Sequence, residues 1–262
     1  MAYRDLREWL AAVENRGELK HISGANWDVE MAGIAEIVYW EGKSPKPALL
    51  FDDIPGYPRG YRTLFGLLAS IFRIAKTLGL SEDETNPVNL VKNWRNKAKD
   101  LRLIPPRFVK SGPVQENVLT SNQIDLLKFP SPRFHELDGG RYFGTGHAVI
   151  QQDPDTGWVN LGTYRVMLVD RNRLILHVLE GQHGGIMLYE KYFRQGRSMP
   201  VAIAIGVEPA LWLVSSHSLT PWGLSEYDYA GGIRGEPIEV IKGEHTGLPL
   251  PAHAEIVIEG EC

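Results

Sequence analysis

Asn160, Arg165, His183 and Glu226 bring an amide, a guanidinium, an imidazole and a carboxylate to the chain's second half. Asn160 and Arg165 share "WVNLGTYR" (158–165), which reads as a buried strand apart from those two residues and the glycine between them. An amide oxygen, an imidazole and a carboxylate from three β-rich segments (Asn160, His183 and Glu226) make a mixed oxygen–nitrogen donor set. Such a set suits Mn2+ or Mg2+ better than zinc, which favours tetrahedral sulfur and nitrogen sites. Three protein ligands would leave positions open for phosphate oxygens and water. Plain structural roles also fit: Asn160 ending a strand, His183 capping a helix that starts near Gly184, and Glu226 solvated.

A guanidinium near a buried strand needs a carboxylate or phosphate partner, because an unpaired buried charge is costly. For Arg165, a structural salt bridge or a half-exposed strand position would meet that need as well. Five residues separate it from Asn160, so ideal alternation puts the two on opposite faces. They serve one site only if the strand bends between them, and Gly162 is where a bend is expected. "GQHGG" (181–185) opens a helix, where backbone N–H groups attract anions and glycines let a phosphate approach. An ordinary flexible turn into a helix is the competing reading. "LVSSHS" (213–218) places serines beside His217, but no G-x-S-x-G elbow accompanies them. "FGTGHA" (143–148) has no helix after it and so lacks a dinucleotide fingerprint.

The elements that must hold these residues fall into two parts. Asp5 caps a first helix with Leu6, Trp9, Leu10 and Val13 in one stripe and Gly17 as its stop. Residues 28–42 repeat the pattern, with Ile34, Ile37 and Val38 on one side. Residues 47–58 read as a strand and turn, and 62–80 as a third helical stretch. Residues 101–140 hold Pro105, Pro106, Pro113, Pro130 and Pro132 and read as an extended connector. Beyond Arg141 the pattern is β, with "PDTG" (154–157) as a hairpin turn. Residues 185–196 read as a helix with Leu188, Tyr192 and Phe193 in the core. "PVAIAIGVEPALWLVSS" (200–216) holds an apolar strand, and "EPIEVIKG" and "AEIVIEGE" are late strands.

The totals bound the function. The chain has 262 residues, 43% of them hydrophobic, and a net charge of −4, which allows a sizeable core but gives no nucleic-acid footprint. The basic run at 92–103 reads as a solvated helix face. No apolar run reaches about 18 residues, so no membrane span is expected. The charged N-terminus is unlike a secretory signal. Cys262 is the single cysteine, which excludes an internal disulfide framework or a thiolate zinc cluster. A cytoplasmic protein is the simplest reading.

Taken in order, "WVNLGTYR", "LEGQHGG", "PVAIAIGVEPALWLVSS", "LSEYDYAGGIRG" and "LPAHAEIVIEGE" resemble the UbiD family of reversible decarboxylases that use prenylated FMN. "DLREWLAAVENRGELKHI" and "GPVQENV" resemble it too, so the likeness covers essentially the whole chain. It implies an α+β fold: a small N-terminal α/β domain with connector (1–115), then a mostly antiparallel split β-barrel flavin-binding domain (116–262), incomplete at the C-terminus. It implies that Asn160, His183 and Glu226 hold a divalent ion, usually Mn2+, bridging to the cofactor phosphate. Val214, Ser215, His217, the Trp158 backbone and Glu226 match a K+ site. Thr163, Tyr164, Arg165, His177, Leu179, Gln182, His183 and Gly184 match the cofactor lining, with Ser215 beside it. Arg165 matches the catalytic arginine.

The modified flavin would supply the electron sink that decarboxylation needs. The family's acidic E-G-P-x-G-E/D motif lies just beyond the strand that ends this chain at "EGEC", as do a phosphate-holding lysine and the oligomerisation domain. Glu255 and Glu259 do not match the acidic pair. The expected activity, on an aromatic or α,β-unsaturated carboxylic acid, therefore calls for that missing segment or a second chain supplying it. The resemblance also implies a flavin prenyltransferase for maturation and a homo-oligomer when complete, with no nucleic-acid or membrane partner. The alternative is a flavin- or metal-binding module, or an assembly subunit, without catalysis of its own.

Overall fold

Asp5 accepts the Glu8 N–H through its side chain and starts α1 (Leu6–Asn15), which buries Leu6, Trp9 and Val13. This is the stripe the spacing predicts. The computed structural model describes residues 3–217 and 220–262; Ser218, in the serine stretch beside His217, lies outside the described residues. Strands β1 (Leu19–Ser23), β2 (Ala48–Asp52) and β3 (Thr63–Phe65) form one sheet with β2 central, parallel to β1 and antiparallel to β3.

Helix α2 (Glu30–Glu41) packs through Met31, Ala32 and Ala35. Ile37, placed on the core side by the sequence, is 60% exposed instead. The expected single helix over 62–80 is also corrected. Its first residues pair with β2 as β3, and Ser70 caps a shorter α3 (Ile71–Thr77) by accepting the Arg73 N–H. Between them Gly66 takes a φ of +69°, where any Cβ would strike the Tyr39 ring. Arg73 is fully buried, with its guanidinium on the Glu18 carboxylate (2.8 Å) and on the Leu67 carbonyl (3.0 Å). Helix α4 (Pro87–Lys99) carries the basic run and buries only Leu90.

The connector over 101–140 contains the short β4 (Arg107–Phe108) and three single 3-10 turns. Two open sheets then hold the site. Strands β6 (His147–Gln152), β7 (Val159–Gly162), β10 (Pro200–Ile205) and β13 (Ile256–Glu261) make an antiparallel sheet ordered β13-β10-β6-β7. Strands β5 (Arg141–Gly144), β8 (Arg165–Leu168) and β9 (Leu174–His177) make the other, ordered β5-β8-β9. β11 (Glu239–Lys242) and β12 (Pro249–Pro251) join β4 in a third small sheet. Among the described residues no sheet closes into a barrel, and the fold is α+β.

Alternation along β6 shows how the layers stack. Ala148 and Ile150 pack against α6 (Pro209–Ser215) and α7 (Glu226–Arg234), while Val149 faces Val166 of the second sheet. Helix α5 (His183–Ile186) continues into a π-helical turn, Met187–Tyr192, and a 3-10 turn, Phe193–Gln195. Leu188 and Tyr192 are buried as expected, whereas Phe193 is 48% exposed because the widened turn swings it outward. Among the described residues the β part thus carries three helices. The sequence pattern announces only the one near 185–196. α6 lies in the stretch that reads as holding an apolar strand, and the pattern gives no sign of α7, although its caps are ordinary, Ser225 before it and Gly235 (φ +77°) after it.

Candidate functional site

β7 and β8 belong to different sheets, and only Thr163 and Tyr164 connect them. The expected break therefore falls just after Gly162. Gly162 serves another purpose: a Cβ there would run into the Tyr164 ring, which folds back over it. The linker is clamped at both residues. The Thr163 N–H donates to the Ser215 carbonyl (3.1 Å) and its hydroxyl donates to the His147 carbonyl (3.2 Å). His147 Nε2 donates to the Tyr164 carbonyl (2.6 Å).

The Tyr164 phenol is a meeting point. Its oxygen accepts the Gly184 backbone N–H (3.0 Å) and an Asn160 side-chain N–H (3.3 Å). The Gly184 N–H expected to greet an anion is thus already committed. Gly184 itself is needed, because a Cβ there would collide with Gln151 Oε1 and the Tyr164 ring. Asn160 is buried, and its second amide hydrogen goes to Gln151 Oε1 (3.3 Å). Both donors are spent, and no donor bonds Oδ1 among the described residues.

Glu226 is the first residue of α7, and its Oε2 accepts the N–H of Leu161, next to Asn160 (2.8 Å). It is buried with no ion pair among the described residues, and burial pushes its carboxyl up to about 7 against the lowering effect of the Leu161 N–H. His183 opens α5, half-buried, with its ring edge-on to Trp158 and Trp222 (centroids 5.3 Å from each). Burial lowers its basicity, and neither ring nitrogen is hydrogen-bonded among the described residues. A free amide oxygen, a buried unpaired carboxylate and a neutral imidazole fit a hard divalent cation. Among the described residues no cluster of three or more His, Cys, Asp or Glu stands ready for a metal; this donor set has only two such members and an amide as the third.

Arg165 opens β8 opposite His177 of β9, and both side chains are exposed. Among the described residues Arg165 has no ion pair, so the salt-bridge reading is not met, and it is exposed at the start of its strand rather than in the core. Leu179 is also exposed, and its N–H and carbonyl close a turn with Gln182 Oε1 and N–H (3.0 Å each). Ser215 and Val214 are buried at the end of α6, with the Ser215 hydroxyl on the Leu211 carbonyl (2.8 Å). His217 is exposed just beyond. Trp158 stands at the other end of β7, its carbonyl accepting the Asp153 N–H (2.8 Å). Hydrogen bonds thus join Asn160, Tyr164 and Gly184, Glu226 reaches the backbone beside Asn160, and the His183 ring stands against Trp158 and Trp222, with Thr163 and Ser215 adjoining the linker.

Sequence reasoning missed His147 and Gln151. The available signal was the hairpin: counting back from "PDTG" sets Gln151 opposite Asn160, and both are polar in an apolar strand pair. His147 has a measurable consequence. Burial lowers it from 6.5 to about 4, so the folded chain resists a proton that the unfolded chain takes. Its contribution is whole above pH 6.5 and is lost as pH falls toward 4, about 3 kcal/mol in all. Urea unfolding at pH 7 and 4.5 should show an acid loss that shrinks by that order in His147→Gln; an equal loss in the variant refutes the assignment.

Residues 107–262 match the family described as the 3-octaprenyl-4-hydroxybenzoate carboxy-lyase Rift-related domain (UbiD), and residues 10–88 match its N-terminal domain. A pyrrole-2-carboxylic acid decarboxylase of Pseudomonas aeruginosa is 38% identical over 98% of this chain and 52% of its own length. The vanillic acid decarboxylase of Sedimentibacter hydroxybenzoicus, in closed form, superposes with a TM-score of 0.89 at 28% identity, over 100% of this chain and 55% of that one. An evolved dimeric form of the UbiD-class enzyme HmfF from Pelotomaculum thermopropionicum, in complex with prFMN, superposes with a TM-score of 0.85 at 30% identity, over 99% of this chain and 57% of that one. The chain spans about half the length of the relatives it matches. With both domains matched in order along it, the chain belongs to the UbiD family.

Proposed function

We propose that this chain forms the N-terminal and cofactor-binding part of a reversible, non-oxidative decarboxylase acting on an aromatic or α,β-unsaturated carboxylic acid. The observation that carries the reading is the junction at Tyr164. There one phenol ties the Asn160 amide to the start of α5, one residue before Arg165, which forms no ion pair among the described residues. The family likeness and a neighbour solved with prFMN support prenylated FMN as the cofactor. When bound it supplies the electron sink for the carbanion left by CO2. Asn160, His183 and Glu226 would hold Mn2+ or Mg2+ against its phosphate. Val214, Ser215, His217, Glu226 and the Trp158 backbone are the proposed K+ ligands. Arg165 would orient the substrate carboxylate through its planar fork, beside His177 and Leu179. Thr163, Tyr164, Gln182 and Gly184 shape the wall behind the cofactor. A homo-oligomer, maturation by a flavin prenyltransferase and a cytoplasmic setting belong to the same proposal.

The test is made with the full-length protein, or with this chain and whatever chain supplies the remaining half of its relatives' length. It is matured with a flavin prenyltransferase, Mn2+ and K+, and CO2 exchange is followed with pyrrole-2-carboxylate, vanillate and related acids. Exchange with at least one acid, dependent on flavin and Mn2+, is the expected result. Flavin binding with no exchange across the panel would favour the non-catalytic module. Absence of flavin binding removes the proposal altogether.

A further inference from the structure

We propose that Gln151 is a positioning residue that decides which end of the Asn160 amide faces the divalent cation. The inference rests on the metal reading of Asn160, His183 and Glu226. An asparagine amide has an oxygen that can ligate a cation and an NH2 that repels one, and the two ends are nearly equal in shape. Something must choose between them. The Tyr164 hydroxyl cannot, because a hydroxyl both donates and accepts. Gln151 Oε1 only accepts, and it takes an Asn160 Nδ2 hydrogen at 3.3 Å from directly across the β6–β7 pair.

Gln151 is itself an amide and needs its own choice made. It is 0% exposed, and its Nε2 meets the Met199 thioether at 3.8 Å. That sulfur accepts and has no hydrogen to donate. Turning Gln151 around would set its oxygen against the sulfur lone pairs. The polarity therefore runs one way: Met199 Sδ fixes Gln151 Nε2, Gln151 Oε1 fixes Asn160 Nδ2, and Asn160 Oδ1 is left for the cation. Space for this relay exists because residue 184 is glycine; any Cβ there would collide with Gln151 Oε1.

The test titrates the protein and its variants with Mn2+ in the presence of oxidised FMN, by calorimetry and by the electron paramagnetic resonance of bound Mn2+. Gln151→Leu should weaken Mn2+ about 10–100-fold, the usual cost of losing a group that orients a metal ligand. Gln151→Glu, which keeps an accepting oxygen, should stay much nearer the wild type. The discriminating background is Asn160→Asp, whose carboxylate has no wrong end. There Gln151→Leu should cost nothing, whereas a merely structural role predicts the same loss in both backgrounds. If Gln151→Leu does not fold, Gln151→Met carries the same comparison with a side chain of similar length. Wild-type protein that binds no Mn2+ overturns the metal reading and this inference with it. Wild-type protein that binds Mn2+ no better than Gln151→Leu overturns the orientation role alone.

Discussion

Arg165→Ala is expected to lower kcat/KM of the flavin-loaded enzyme by about 10²–10³-fold, the range seen when one donor to developing charge is removed. Arg165 is exposed at the start of β8 and pairs with no carboxylate among the described residues, so the fold does not depend on it. Its loss should change stability by less than about 0.5 kcal/mol, as for surface substitutions away from special features. The clamps that set its position act on neighbouring backbone: the Thr163 N–H on the Ser215 carbonyl and His147 on the Tyr164 carbonyl. Removing the side chain leaves those in place, so Mn2+ and flavin content should be retained. Arg165→Lys should recover only part of the rate, because an ammonium keeps the charge without the two-pronged donor geometry. Steady-state kinetics with metal and flavin quantified on the same samples decide the matter. Full activity in Arg165→Ala would sink the assigned role, and loss of flavin together with rate would move Arg165 from substrate to cofactor binding.

Local signals carried the sequence far, and their limits are physical. The Asp5 cap, the stripe of α1 and the hairpin around 154–157 depend on residues close in the chain, and each formed where the spacing puts it. The 62–80 stretch misled because an apolar run suits a helix or a buried strand equally, and β2 decided the matter by pairing with Thr63–Phe65. Ile37 and Phe193 misled because a helix's inward face is chosen by its neighbours, and in the second case because the helix widens into a π-turn. Of the site, the residue types were legible and the wiring was not. That Tyr164 folds back over Gly162 to reach Gly184 follows from a crossing between two sheets. No local pattern encodes such a crossing.

Glu226→Gln should make the metal-free protein more stable at alkaline pH and at the same time abolish its response to Mn2+. The carboxyl is raised from 4.5 to about 7, chiefly by burial. A raised acid contributes stability that is whole below pH 4.5 and is lost as pH climbs through 7, because the folded chain must then bury a charge with no cation beside it. The gap of about 2.5 units corresponds to about 3 kcal/mol at pH 8 and above. Glutamine has the same shape, can still accept the Leu161 N–H and carries no charge, so it escapes that loss. Mn2+ reverses the ranking. In the wild type the cation should pair with the carboxylate, displace its proton and stabilise the fold by mass action, more strongly as pH rises. The variant has lost the anionic ligand and should gain little. Thermal melts at pH 6 and pH 8, with and without Mn2+, therefore give four comparisons with opposite signs. Without metal, Glu226→Gln should melt above the wild type at both pH values, and by more at pH 8 than at pH 6, where the loss is only part complete. With Mn2+, the wild type should rise and the variant should not. If Mn2+ raised both equally, the ion would be bound elsewhere, and Glu226 would be a buried acid with no part in holding it.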